Sequence, residues 1–169
     1  SYPGFVIGPN GVALGWGKIF AIRETDAVVA LDAATGEELW ARSIKRTVSD
    51  GIDIQPTVYG DLVLVSSART RPGLGGTLMA LDRATGAPRW TRALDPYSWT
   101  SMLYLTGASG KTYAVFADQA GVIHLFDPTT GADVDTFATG ANVEASPAAY
   151  GNVLVVASRD QKVYALTVS

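Results

Sequence analysis

Two arginines in a glycine-rich segment form the clearest candidate for a binding loop. Arg69 and Arg71 stand beside Pro72 and three glycines within residues 68–76. Such a loop can present two planar guanidinium groups, which match anionic partners well. The same composition is also typical of a flexible, solvated loop with two ordinary surface arginines, and it favours that interpretation. The alternative interpretation, an anion- or partner-binding loop at Arg69 and Arg71, is the candidate site that the sequence offers.

Other residue types exclude several kinds of site. The chain has one histidine, His124, and no cysteine, which excludes metal sites built from several histidines or from thiolates. His124 falls within a predicted strand, so we expect it to be packed or hydrogen-bonded there. The pairs Asp50/Asp53 and Asp133/Asp135 do not match the calcium-loop pattern of alternating oxygen ligands followed by a glutamate. We expect the first pair to cap a turn and the second to face water.

One segment is similar to the end of a phosphate-binding loop. Residues 107–112 read Gly-Ala-Ser-Gly-Lys-Thr. The full motif requires a glycine five residues before Gly110, where this chain has Leu105, and a helix whose first N–H groups hold the phosphate. The residues that follow have the composition of a strand instead. The segment is therefore predicted to be a hairpin turn.

The elements that position these residues repeat along the chain. Residues 28–40 contain an apolar strand, a turn of short polar side chains and glycine, and a second strand that carries a tryptophan. The pattern recurs at residues 78–90, in weaker form at 123–131, and in part at 163–167. The repeated motif residues are Asp32, Thr35, Gly36, Trp40, Asp82, Thr85, Gly86, Trp90, Asp127, Thr130 and Gly131.

The spacing of these repeats predicts the architecture. Several short strands in a period of roughly 40–50 residues are typical of propeller blades, because one four-stranded sheet cannot cover its own two faces. We predict an all-β fold, a β-propeller whose single unit covers residues 1–169. Its four blade units are residues 11–46, 52–95, 101–139 and 143–169. The fourth unit lacks an outer strand, and residues 5–7 (Phe-Val-Ile) are the spare strand that can complete it, in the same chain or in a second copy.

Charge and hydropathy exclude two classes of partner. The formal net charge is −3 and the sequence pI is about 5.0, whereas a general nucleic-acid binder needs a basic face to neutralise phosphates. No apolar run approaches the roughly 20 residues that span a bilayer. We therefore expect neither nucleic-acid binding nor membrane insertion.

The repeat also indicates a family. The pattern Ala-Leu-Asp-x-x-Thr-Gly-x-x-x-Trp at residues 30–40 and 80–90 resembles the tryptophan-docking repeat of the pyrroloquinoline quinone (PQQ)-like β-propellers. This family includes quinoprotein alcohol dehydrogenases, which the first two units resemble most, and non-catalytic outer-membrane assembly scaffolds. The resemblance implies that Trp40 and Trp90 fasten adjacent blades and that the protein is periplasmic or extracytoplasmic. It also implies that four units are half, or a segment, of a propeller with seven or eight blades.

The resemblance has a further implication for cofactors. In the family's dehydrogenases, PQQ lies beside a calcium ion whose carboxylate ligand comes from a loop between the second and third strands of a blade. The corresponding loop here is residues 68–76, and Arg71 stands where the carboxylate is expected. Arginine cannot ligate calcium, and the family's adjacent-cysteine disulfide is absent. We therefore expect no cofactor, metal ligand or catalytic residue in this chain alone.

Two functions follow as hypotheses. The first is a non-catalytic binding or scaffold module, completed by a second copy in a homodimer or by further blades, with a protein or peptide as a possible partner. The alternative is a segment of a PQQ-dependent alcohol dehydrogenase whose cofactor and metal ligands lie elsewhere. A fold by itself does not decide between them.

Overall fold

The structure consists of β-strands joined by turns. A computed structural model describes residues 11–24, 27–44, 50–52, 54–69 and 75–169, with the backbone alone at positions 50, 68 and 69. No helix occurs among these residues. The chain divides into two compact units, Ser1–Asp95 and Pro96–Ser169, and each contains two antiparallel sheets. The predicted all-β class with four repeated sheets is confirmed.

The first unit contains sheets 1 and 2. Sheet 1 has the strand order β1-β2-β3-β4, and in sheet 2 the strand β7 pairs with β5, β6 and β8, while β8 pairs with β9. The strands of sheet 1 are β1 (Ala13–Gly15), β2 (Lys18–Arg23), β3 (Ala27–Asp32) and β4 (Glu38–Ser43). Those of sheet 2 are β5 (Asp50–Gly51), β6 (Thr57–Tyr59), β7 (Leu62–Arg69), β8 (Gly76–Asp82) and β9 (Pro88–Leu94).

The second unit contains sheets 3 and 4. Sheet 3 has the order β10-β11-β12-β13, and sheet 4 has the order β14-β15-β16. The strands of sheet 3 are β10 (Leu103–Thr106), β11 (Thr112–Ala117), β12 (Val122–Phe126) and β13 (Asp133–Ala138). Those of sheet 4 are β14 (Ala148–Tyr150), β15 (Val153–Ala157) and β16 (Val163–Thr167). Residues 5–7, the predicted closing strand, lie outside the described part of the chain.

Each sheet has two sides, A and B, because successive side chains of a strand point to opposite sides. In the first unit, side A of sheet 1 packs against side B of sheet 2 through Ala13, Phe20, Ile22, Val28, Ala30, Val63, Val65, Met79 and Leu81. In the second unit, side A of sheet 3 packs against side B of sheet 4 through Leu105, Tyr113, Val115, Ala117, Ile123, Leu154 and Val156. Both units therefore use the same pairing, side A of one sheet on side B of the next.

The turn that ends the third strand of a sheet is held by its own aspartate. Asp32 Oδ1 accepts hydrogen bonds from the backbone N–H groups of Ala34 (2.9 Å) and Thr35 (2.8 Å) and from Thr35 Oγ1 (3.1 Å). Gly36 follows at a φ of 75°, and its N–H donates to the Asp32 carbonyl at 2.8 Å. A glycine suits this left-handed conformation because it has no Cβ. The turn is thus built from local chemistry that the sequence displays.

The second and third sheets repeat this turn with one change. Asp82 uses Ala84 and Thr85 in the same way as Asp32 uses its neighbours. Asp127 Oδ1 instead accepts hydrogen bonds from both the backbone N–H (2.8 Å) and the hydroxyl (2.6 Å) of Thr129. The hydroxyl of Thr130 accepts from the backbone N–H of residue 132 at 3.3 Å. The aspartate is therefore the constant element, and the threonine that serves it varies.

These hydrogen bonds favour the ionised carboxylates and predict an acid-sensitive step in stability. They lower the pKa of Asp32, Asp82 and Asp127 below the ordinary value of 3.8, chiefly through the threonine that follows each aspartate. Because each pKa is lower in the folded state, the stabilisation is complete above the unfolded value and is lost as the pH falls through the folded values. We expect thermal melts between pH 6 and pH 2 to show a smaller acid-induced drop after Asp32→Asn, Asp82→Asn and Asp127→Asn together.

The control for this experiment is Asp95→Asn, which changes an exposed aspartate outside the turns. It should leave the slope of melting temperature against pH as it is in the unmodified chain. If the triple variant and the control have the same slope, the turn aspartates do not carry the acid sensitivity.

The segment similar to a phosphate-binding loop is the hairpin between β10 and β11. The Gly107 N–H donates to the Lys111 carbonyl at 2.9 Å, and Gly110 adopts a φ of 84°. Thr112 begins a strand and not a helix. The predicted hairpin turn is confirmed.

Candidate functional site

The repeat tryptophan of sheet 1 joins two sheets of the first unit. Trp40 Nε1 donates to the carbonyl oxygen of Arg83 at 3.0 Å, and its ring lies on the turn at Gly86. A Cβ at Gly86 would be 2.6 Å from Cε3 of the indole. Arg42 Nε adds a hydrogen bond of 2.8 Å to the Gly86 carbonyl. These contacts give the indole N–H the partner that a half-buried tryptophan requires.

The motif varies in the later sheets. Trp90 lies in β9 opposite Ala80, as Trp40 lies opposite Ala30. In sheet 3 the equivalent position, opposite Leu125, is Asp135. The tryptophan site is therefore present in sheets 1 and 2 and is replaced by an exposed carboxylate in sheet 3.

The predicted arginine loop lies largely outside the described residues. Arg69 ends β7, with its backbone paired to β5, and its side chain is not described. Arg71 lies outside the described part, as does Asp53, while Asp50 is described by its backbone in β5. The anion-binding loop and the turn-capping pair thus stay predictions.

His124 lies between two carboxylates of the second unit. Its Nε2 is 3.1 Å from Asp118 Oδ2, and its Nδ1 is 3.2 Å from Asp133 Oδ2. The ring stacks on Phe116 with centroids 4.5 Å apart and an angle of 10° between the planes. The expected hydrogen-bonded strand histidine is confirmed. Asp133 and Asp135 are exposed, as predicted, and Asp133 in addition contacts this ring from the adjacent strand.

Asp118 connects this histidine to the turn between β11 and β12. Its Oδ1 accepts the backbone N–H groups of Ala120 and Val122, each at 2.9 Å, and its Oδ2 faces His124. The carboxylate is buried, at 5% exposure. Both ring nitrogens of the histidine are thus engaged by the protein, and the arrangement links a turn to two strands.

A second polar cluster had no counterpart in the sequence motifs. Asn142 Nδ2 donates to Gln119 Oε1 and to Glu144 Oε1, both at 3.1 Å. Arg159 Nη2 lies 2.5 Å from Glu144 Oε2, and its backbone N–H donates to the Asn142 carbonyl at 3.0 Å. The four residues come from three separate connections between strands. No fixed spacing announces such a cluster, so only the folded chain reveals it.

A groove between β13 and β16 is one of the concave features of the second unit. It encloses about 460 Å³. The lining residues are Tyr113, Ile123, Leu125, Val134, Asp135, Thr136, Phe137, Leu154, Ala165, Leu166, Thr167, Val168 and Ser169. Apolar and polar groups contribute about equally to its lining. We call it the β16 groove, and it is the candidate binding site of this unit.

An aspartate–tyrosine pair lies beside Phe137, which lines the β16 groove. The Tyr164 hydroxyl donates to Asp160 Oδ2 at 2.5 Å, and the Gly140 N–H donates to the same oxygen at 2.9 Å. The tyrosine hydrogen bond lowers the pKa of Asp160 and raises that of Tyr164. The Phe137 ring packs edge-on against Tyr164, with centroids 5.3 Å apart. These contacts position β16 relative to β13.

The acidic and histidine side chains of the described residues do not form a metal site. Within residues 11–169, apart from the stretches left undescribed, no three acidic or histidine side chains converge on a point where a metal ion could bind. The carboxylates of Asp118 and Asp133 approach opposite nitrogens of one imidazole. They are therefore arranged around a ring and not around an ion.

Stacked antiparallel sheets joined by a repeated strand–turn–strand motif define a β-propeller repeat protein. The chain belongs to the PQQ-like repeat family. The profile of that family, described as outer membrane protein assembly factor BamB, matches residues 8–97 and 74–169. The predicted family and fold are confirmed. The described residues contain no helix that is long and apolar enough to cross a membrane.

Solved structures share the fold at low sequence identity. BamB from Moraxella catarrhalis superposes with a TM-score of 0.73 and 22% identity, over 94% of this chain and 46% of that chain. A europium-containing methanol dehydrogenase superposes with a TM-score of 0.75 and 19% identity, over 93% of this chain and 39% of that chain. At such identities the likeness shows the fold alone.

A relative with higher identity is an enzyme by name. The quinohemoprotein alcohol dehydrogenase ADH IIB of Pseudomonas putida is 30% identical over 132 residues, which is 68% of this chain and 18% of that protein. The chain therefore spans less than one fifth of this relative and less than half of either solved structure. It is a PQQ-like propeller segment related both to BamB and to quinoprotein alcohol dehydrogenases.

Proposed function

We propose that the chain is a binding or scaffold module that accepts an extended β-strand in the β16 groove. The observation that carries this proposal is the groove itself, about 460 Å³ of space with an apolar floor and polar groups in its lining, alongside β16 of sheet 4. An extended segment could add to the sheet through backbone hydrogen bonds and place alternate side chains in the groove. By family resemblance, the module acts outside the cytoplasm.

The repeat supports a strand as the occupant. In sheets 1, 2 and 3 the strands β3, β8 and β12 each pair with an outer strand, namely β4, β9 and β13. Among the described residues, β16 has a partner on one side, β15. An exposed edge of this kind is a template for another strand. The groove beside it is large enough for side chains because no described outer strand fills it.

The apolar floor supports a segment with alternating apolar residues. Leu154 is buried at the base of the groove, and Leu125 and Leu166 are partly buried beside it. Val134 reaches the rim at 50% exposure. A strand with apolar side chains on one side and polar ones on the other would cover these groups and keep its outer side in water. Residues 5–7, from this chain or from a second copy, would supply Phe5 and Ile7 to the apolar side, with Val6 on the opposite side.

Strand binding predicts a measurable affinity for an outer-strand peptide. A fluorescent peptide with the sequence of residues 37–44 should bind saturably, and fluorescence anisotropy would measure the affinity. A matched peptide with proline at the centre should bind at least about tenfold more weakly, because proline cannot donate to the sheet. Val134→Arg should weaken binding similarly, whereas Ser109→Arg, on an exposed turn outside the groove, should not. Equal binding of both peptides would overturn the proposal.

A further pair of substitutions identifies the natural occupant. If residues 5–7 occupy the groove, Phe5→Asp with Val6→Asp should lower the melting temperature and strengthen binding of the added peptide. If a second copy supplies them, the mass in solution should fall as well. Unchanged mass, stability and peptide affinity would assign the groove to a separate protein or peptide partner.

The second candidate function is a segment of a PQQ-dependent alcohol dehydrogenase. The 30% identity to the Pseudomonas putida quinohemoprotein alcohol dehydrogenase favours it. In that case the cofactor and calcium ligands belong to residues outside those described here. Titration of the chain with PQQ and Ca²⁺ tests it through quinone absorbance and thermal shift, since a ligand that binds the folded state raises its stability. No change in either signal would exclude this function for the 169-residue chain.

A further inference from the structure

The β16 groove has one charged side chain in its lining. Thirteen residues line the groove, and Asp135 is the only one of them whose side chain is acidic or basic. Its Oδ1 accepts the backbone N–H of Thr136 at 2.8 Å. Within the described part of the chain, no lysine, arginine or histidine forms an ion pair with it. The groove therefore presents a single negative charge to the segment that occupies it.

Asp135 stands where the first two sheets carry a tryptophan. It lies opposite Leu125 on side A of sheet 3, as Trp40 lies opposite Ala30 on side A of sheet 1. The indole of Trp40 crosses to the next sheet and donates its N–H to a carbonyl oxygen at 3.0 Å. A carboxylate is smaller than an indole and only accepts hydrogen bonds. The group that meets Asp135 must therefore be a donor, the reverse of the contact in sheet 1.

The strand register shows which residue of an added strand faces this carboxylate. The outer strands of sheets 1, 2 and 3 pair antiparallel with their neighbours, and in sheet 1 Glu38 lies opposite Leu31. The register of β15 and β16 gives Leu166 the position of Leu31. Leu166 packs towards sheet 3 and lines the groove together with Asp135. A residue opposite Leu166 lies on the same side of sheet 4, so it also points into the groove.

We propose that the β16 groove selects an extended segment with a lysine or arginine opposite Leu166, and that this basic group pairs with Asp135. A strand that covers the groove removes water from the carboxylate, and a charge that loses its water needs a partner. A long basic side chain can cover apolar lining residues with its methylene groups while its charged end reaches the oxygen atoms. This inference rests on the proposed function, because it names the chemistry of the segment that the groove accepts.

Two peptides of identical composition test the position of the basic group. Both are acetylated, fluorescent versions of residues 37–44. The first carries Glu38→Lys and the second carries Glu37→Lys, so their net charges are equal and their first two residues are exchanged. Adjacent residues of a strand point to opposite sides, so only the first peptide directs its lysine to the groove. At low ionic strength it should bind about fivefold more tightly in fluorescence anisotropy, and salt should reduce the difference.

A substitution in the chain assigns this preference to one carboxylate. Asp135→Asn removes the charge and nearly keeps the shape of the side chain, so the two peptides should bind it about equally. Asp95→Asn is the matched control, because it makes the same change of net charge at an exposed aspartate outside the groove. It should keep the preference for the Glu38→Lys peptide. Both aspartates are exposed, so circular dichroism and the melting temperature should be unchanged by either substitution.

The outcomes separate this inference from the proposed function. Equal binding of the two peptides by the unmodified chain overturns the inference and leaves strand binding in place. The same holds for a preference that persists in Asp135→Asn. A preference that disappears in Asp95→Asn also overturns the inference, because it assigns the effect to the overall charge of the chain. Absence of saturable binding by either peptide overturns the proposed function and the inference with it.

Discussion

Gly86→Ala is expected to destabilise the folded chain by about 3 kcal/mol. A side chain at the φ of 69° adopted by Gly86 costs roughly 1–2 kcal/mol, and insertion of a methyl group into a packed contact costs about 1–3 kcal/mol more. The contact is with the indole of Trp40, 2.6 Å from the position of the new Cβ. Urea unfolding monitored by tryptophan fluorescence would measure the loss.

Gly36→Ala is a matched control for this prediction. Gly36 occupies the same turn position in sheet 1, with a φ of 75°, and a Cβ there would meet no atom within 4 Å. It should therefore cost only the roughly 1–2 kcal/mol of the backbone conformation. Equal losses for the two variants would show that the indole does not press on the Gly86 turn.

A double-mutant cycle isolates the contribution of the indole. In a Trp40→Leu background, Gly86→Ala should cost about as much as Gly36→Ala, because the aromatic ring that the methyl group meets has been removed. The coupling energy measured by such a cycle belongs to neighbouring residues and vanishes for distant ones. A cost for Gly86→Ala that does not depend on Trp40 would contradict the proposed contact.

Asp118→Ala is expected to cost about 1–3 kcal/mol, because it removes a buried carboxylate that accepts from several partly buried donors. The backbone N–H groups of Ala120 and Val122 and the Nε2 of His124 all lose their partner oxygen. The turn between β11 and β12 should loosen first. Thermal unfolding gives the total loss, and amide hydrogen exchange at positions 120 and 122 locates it.

Two variants control the interpretation of Asp118→Ala. Asp118→Asn keeps an oxygen for the two backbone donors and should recover part of the stability. Asp133→Ala removes the other carboxylate beside His124. The Asp133 side chain is about one third exposed, and an ion pair with that exposure contributes about 1 kcal/mol or less. If Asp133→Ala costs as much as Asp118→Ala, the buried turn is not the origin of the effect.

Local turn chemistry accounts for what could be predicted of the fold. Asp32, Thr35 and Gly36 bond to one another within five residues, so their spacing alone indicated the turn and, by repetition, four sheets. The hairpin at residues 107–112 was predictable for the same reason. The turn at Asp118 uses equally local bonds, and its aspartate followed by glycine three residues later was a signal of the same kind.

The candidate sites were less accessible to sequence reasoning because they join distant residues. The hydrogen bond from Trp40 to the Arg83 carbonyl spans 43 positions, and the lining of the β16 groove comes from five strands and the last two residues. Neither arrangement leaves a fixed spacing in the chain. The arginine loop, which composition suggested most directly, stays a prediction because Arg71 lies outside the described residues.

Two valines show what the sequence by itself determined and what only the tertiary structure decided. Val28 and Val163 hold the same position of the repeat, on side A of β3 and β16. The repeat places both at the same position of a strand, and the two-residue period of a strand then puts both on the same side. Val28 is 0% exposed and Val163 is 70% exposed, because sheet 2 covers the first and no described sheet covers the second. Strand and side follow from local periodicity, whereas burial depends on which neighbouring sheet is present, and this difference makes sheet 4 the candidate surface for a partner.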